Sequence, residues 1–93
     1  YLVAGQAIAQ PSFKQAFSLY NQAIESQDFA AAVEHAETAY HLGKIKFGDD
    51  SENTVNLQYN LGLAYLENRQ LDLSFKTLSK IFFDEGSLYF STN

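Results

Sequence analysis

The sequence predicts an all-α chain of two stacked antiparallel helix hairpins. Three observations lead there. Apolar residues recur at helical spacing through most of the chain. Short polar or glycine-bearing breaks cut that pattern into four segments. A shift of 42 residues then lays the first two segments over the second two, and self-similarity at a fixed period marks a stacked helical repeat. In the body of the chain no stretch alternates with period two for long enough to argue for a strand. Leu88-Tyr89-Phe90 is the one weak exception.

The elements follow in order. Ser12 caps the first helix, and Gln15 stands three residues on, as in a capping box. Phe13, Ala16, Phe17, Tyr20, Ala23 and Ile24 form its apolar face. Ser26-Gln27-Asp28 breaks the pattern, and Phe29, Ala32, Val33, Ala36, Ala39 and Tyr40 resume it as far as Ile45. Phe47-Gly48-Asp49-Asp50-Ser51 is a turn. Ser51 is the next cap, and the acids sit near a helix start, where they suit its dipole. The third helix runs through Glu67 and the fourth from Leu71 to Asp84, with Gly86 ending it. Residues 1–11 are thus an N-terminal segment, 12–50 and 51–85 the two repeats, and 86–93 a tail or the start of a further repeat.

Composition narrows the function. Of 93 residues, 46% are apolar and 18% charged, which suits a globular chain. Eleven acids against six bases give a net charge of −5. The densest basic cluster is Lys44-x-Lys46, so there is no footprint for nucleic acid. No cysteine is present, which removes disulfides and thiol chemistry. No apolar run approaches the ~20 residues of a membrane span. Tyr1-Leu2-Val3-Ala4-Gly5 and the small-x-small pair of Ala7-Ile8-Ala9 read as the tail of a secretory signal, or as a frayed half-helix on the first repeat. The first reading favours the periplasm of a bacterium, the second the cytoplasm.

Under the 42-residue shift Leu19 falls on Leu61, Tyr20 on Gly62, Ala23 on Tyr65, Phe29 on Leu71 and Ala32 on Ser74. Leu61-Gly62-x-x-Tyr65, a polar turn, Leu71, then Ser74-x-x-x-Leu78 and Ile81 resemble the tetratricopeptide repeat. In the first copy Tyr20 stands where that motif has glycine and Ala23 where it has tyrosine. The period is longer than the usual ~34 residues, and so resembles the long class of kinesin light chains and many bacterial proteins. The resemblance covers Phe13 to Phe83. It implies a right-handed α-α superhelix whose packing residues are Leu19, Tyr20, Ala32, Leu61, Gly62, Tyr65 and Ser74. Gly62, Ala32 and Ser74 are expected to be small because paired helices approach closely there.

In such stacks the first helix of each pair lines a concave face. Helical spacing puts Lys14, Phe17, Asn21 and Ile24 there from one repeat, and Asn56, Tyr59, Asn60 and Leu63 from the other. An asparagine amide both donates and accepts, so it can hold a peptide backbone whatever its sequence. Peptide-binding members of the family place asparagines where Asn21 and Asn60 stand. The expected function is therefore a protein-interaction module that binds a protein or peptide. Phe75, Phe82 and Phe83 form a second candidate surface. A short stack needs about three repeats or a polar cap to cover its ends, so this face implies a homodimer or docking within a longer chain. Signals for chemistry are sparse. His35 and His41 lie on different sides of a helix, and Asp49-Asp50-Ser51-Glu52 lacks the alternation of a calcium loop. No enzyme activity, metal or cofactor is expected.

Overall fold

A computed structural model of the chain describes residues 11–82. Four helices make up its fold: α1 (Phe13–Glu25), α2 (Phe29–Phe47), α3 (Glu52–Glu67) and α4 (Leu71–Lys80). Residues 1–10, the end expected for the fourth helix at Asp84, Phe83 and the tail lie outside the described residues.

Local chemistry sets the helix starts. The Ser12 hydroxyl accepts from the Gln15 amide at 3.1 Å, while Gln15 Oε1 accepts from the Ser12 amide at 2.9 Å. This reciprocal box satisfies two of the amides that a helix start leaves without partners. Asp28 caps α2 by accepting from the Ala31 amide, and Ser51 caps α3 by accepting from the Thr54 amide. Gly48 ends α2 at φ 94°, a conformation costly for any side chain but open to glycine. Thr54, 1% exposed, ties that corner down, its hydroxyl donating to the Gly48 carbonyl at 2.6 Å.

The turn inside each hairpin recurs at the 42-residue period. Gln27 and Arg69 both adopt left-handed backbone, at φ 61° and 64°. In the first turn the Gln27 amide donates to Ile24 O and the Asp28 amide to Ala23 O. In the second the Arg69 amide donates to Leu66 O and the Gln70 amide to Tyr65 O. Each turn is thus a Schellman motif, with the same bonds at equivalent positions.

Backbones approach closely only between consecutive helices, α1 with α2, α2 with α3 and α3 with α4. Two apolar clusters fill the seams. One joins Ala23, Ala32, Val33 and Ala36 to Leu61, Ala64 and Tyr65. The other joins Ala16 and Ala39 to Leu57, flanked by Phe13, Phe17 and Phe47. The small residues sit where helices meet. Ala32 is fully buried, and the buried Ser74 hydroxyl donates to the Gly62 carbonyl at 2.8 Å. A Cβ on Gly62 would overlap Leu78, lying 2.6 Å from its Cγ. Gly43 permits the same close approach in the preceding seam, where a Cβ would overlap Leu57 Cδ1.

Leu19 departs from the expectation that it packs between repeats. It is 39% exposed, whereas its counterpart Leu61 is buried. Helix α3 packs between α2 and α4, but among the described residues the backbone of α1 comes close only to α2. The face that α3 turns to its predecessor carries Leu57, Leu61 and Ala64. In α1 the equivalent positions are Gln15, Leu19 and Gln22, and all three are exposed. Tyr20 is half-buried, 6.1 Å from the Phe17 ring.

Candidate functional site

Two concavities lie between α1 and α3. The first, about 280 Å³, is lined by Phe13 and Phe17 of α1, Phe47 at the end of α2, and Asn53, Asn56, Leu57 and Asn60 of α3. The second, about 430 Å³, is lined by Tyr20, Ile24 and Gln27, Phe29 at the start of α2, and Leu63, Ala64 and Glu67 of α3. The early residues of α1 thus face the early residues of α3 and the last residue of α2, and the late residues follow suit. Helices α1 and α3 therefore run the same way, with α2 antiparallel between them, and their shared side carries both concavities.

An aromatic ladder links the two. Phe47 meets Phe13 edge-on at 5.3 Å, Phe13 stacks on Phe17 at 5.9 Å, and Phe17 stacks on Tyr20 at 6.1 Å. Such pairs add to plain burial because ring edges and faces carry opposite partial charge. Phe13, Phe17, Tyr20 and Phe47 are all only half-buried, so the ladder offers apolar surface beside the asparagines. Asn53, Asn56 and Asn60, at i, i+3 and i+7, share one face of α3. Lys46 reaches over the Phe47 ring at 5.8 Å, while Glu67 lines the far concavity.

Of the residues expected in the groove, Phe17, Asn56 and Asn60 meet in the first concavity, and Ile24 and Leu63 in the second. Lys14, Asn21 and Tyr59 are exposed and line neither. Asn21 and Asn60 are therefore not a pair within one cavity. Phe13, Phe47, Asn53 and Leu57 were missed. Asn53 had a signal in its spacing from Asn56 and Asn60, but Phe47 belongs to a segment that reads as a turn and reaches the site from the last position of α2.

Tyr65 closes the seam beside the groove. Its hydroxyl donates to Glu37 Oε2 at 2.6 Å, joining α3 to α2. Burial first, and then the hydrogen bond and charge of Glu37, push its phenol up to about 12. Burial also raises Tyr20 and Tyr40, the latter with help from the Asp49 charge. Among the described residues no three His, Asp or Glu side chains converge as a metal site, and no helix is long and apolar enough to cross a membrane. Comparison with protein families, curated proteins and solved structures found no match.

Proposed function

We propose that the chain is a protein-interaction module of tetratricopeptide-like architecture that holds an extended peptide segment of a protein partner in the groove between α1 and α3. The superhelical assignment draws support from the 42-residue recurrence of the hairpin turn and from the small residues at Gly62 and Ser74. The binding reading draws its main support from one observation: Phe17, Asn56 and Asn60, on two different helices, line a single concavity. The rings supply apolar contact along the segment. The amides of Asn53, Asn56 and Asn60 offer donors and acceptors to its backbone, giving hold without strict sequence demand.

The test uses a displayed library of extended peptides selected on the immobilised chain, followed by titration of the recovered peptides. Asn60→Ala is expected to weaken them about 5- to 10-fold, the worth of one backbone hydrogen bond, and Phe17→Ala more. Peptides that bind the Asn60→Ala and Phe17→Ala variants as tightly as the parent chain would overturn the reading.

A further inference from the structure

On α4, Phe75 and Phe82 of the expected assembly face stand exposed, with no helix over them among the described residues. The second concavity between α1 and α3 is different, because it joins apolar surface to charge. Glu67 is its one charged lining residue, and Gln27 and Tyr20 add an amide and a hydroxyl. Every polar side chain that lines it can therefore accept a hydrogen bond. No base lines either concavity. Half-buried Tyr20, Phe29, Ile24 and Leu63 supply two rings and two aliphatic groups. The surroundings carry the same sign. Helices α1 and α3 run the same way, so the turns that follow them lie at one end, beside this concavity. Residues 25–28 and 67–72 hold Glu25, Asp28, Glu67 and Asp72 against a single base, the exposed Arg69. Each turn joins a helix end to a helix start, so the peptide dipoles offset one another and side-chain charge sets the sign.

Building on the peptide-binding reading of the groove, on which this inference rests, we propose that the second concavity is a subsite for an arginine side chain of the bound segment. The aliphatic stem lies against Ile24 and Leu63, as long charged side chains rest their stems on apolar surface. The guanidinium donates to the Glu67 carboxylate, a charge-assisted pairing that arginine can make through two parallel N–H bonds. A guanidinium also stacks on aromatic rings and is more weakly hydrated than an ammonium, so Tyr20 and Phe29 favour arginine over lysine. The opposite sign of charge excludes an acidic side chain from the same place. Along α3, Glu67 lies seven residues beyond Asn60, a rise of ~10 Å. An extended segment covers that distance in about three residues, so the arginine stands about three positions from the residue whose backbone Asn60 holds.

The experiment titrates two probes into the isotope-labelled chain and follows its amide resonances. One is N-acetyl-arginine amide, the other its uncharged analogue N-acetyl-citrulline amide. Both are taken up to about 50 mM, above the millimolar affinity of a ligand this small. The arginine probe is expected to shift the Leu63, Ala64 and Glu67 amides saturably, and the citrulline probe to bind about 5-fold more weakly, the upper worth of an exposed ion pair. Glu67→Gln is expected to abolish that preference with unchanged helical circular dichroism. The absence of a saturable shift overturns the subsite. So does equal binding of the two probes, or a preference that survives in Glu67→Gln. Peptides recovered from the displayed library separate this inference from the reading beneath it. Peptides that need Asn60 and Phe17 but carry no recurrent arginine and ignore Glu67→Gln leave the groove standing and overturn the subsite. An arginine probe that binds through Glu67, with peptides that ignore Asn60→Ala and Phe17→Ala, supports the arginine site and overturns the groove.

Discussion

Gln27 and Arg69, 42 residues apart, hold the same left-handed backbone conformation at φ 61° and φ 64°. Each sits just past a helix end, where glycine is the usual occupant because a Cβ is penalised there. Arg69→Gly is expected to relieve about 1–2 kcal/mol of backbone strain and to give back about 0.5–1 kcal/mol in lost chain entropy. The net gain should raise the melting temperature by a few degrees, as seen by circular dichroism. Gln27→Gly should do the same. Ser26→Gly, at a right-handed position (φ −87°, ψ −1°), should lower it.

Gly62 and Leu78 lock α3 to α4 by exclusion. In the parent chain Gly62→Ala forces Leu78 aside and is expected to cost about 1–2 kcal/mol despite alanine's better helix propensity. In a Leu78→Ala background the obstruction is gone, and the same change should stabilise by up to ~1 kcal/mol. Urea unfolding of the four chains as a double-mutant cycle reads the reversal of sign. If Gly62→Ala has the same effect in both backgrounds, the close approach is not what keeps the glycine.

The Tyr65–Glu37 contact predicts an alkaline transition. Folding raises the Tyr65 phenol from its ordinary 10.0 to about 12, so ionisation is harder in the folded state. Its contribution is fully present below about pH 10 and is lost as pH rises toward 12. Chemical denaturation across that window should find stability falling in the parent chain and falling less in Tyr65→Phe. At neutral pH Tyr65→Phe should cost about 1 kcal/mol, the net worth of the bond.

Thr54 tests the corner between the hairpins. Its buried hydroxyl donates to the Gly48 carbonyl and lies 3.1 Å from the Ser51 hydroxyl. Thr54→Val keeps the shape but leaves that carbonyl with only the long 3.4 Å bond from the Ser51 amide, at an expected cost of about 1–2 kcal/mol. Hydrogen exchange at the Ser51 and Thr54 amides should accelerate beyond what global destabilisation explains.

Local and periodic features were legible in the sequence. The Ser12–Gln15 box and the Ser51 cap depend on residues three apart, and each turn motif repeats because its neighbours do. Gly62 could be read because it interrupts an apolar helical face. Other features needed the third dimension. Leu19 matches Leu61 by period, yet its burial depends on whether another helix packs beyond it. Gly43 serves the same purpose as Gly62 but lies where helix and loop are hard to tell apart. Glu37 reads as a surface acid able to pair with His41 one turn on, whereas its hydroxyl partner Tyr65 is 28 residues away. Asn21 shares a residue type with Asn60 but not a cavity.

Because the backbone of each helix comes close only to its neighbours in the chain, the structure resembles a strip of hinged slats more than a ball. Pulled from its two ends, such a strip should peel slat by slat, with the outermost giving way at low force and the two inner slats, α2 and α3, holding longest. The Phe17–Asn60 site bridges an outer slat and an inner one, so a partner gripping both would rivet that outer slat in place.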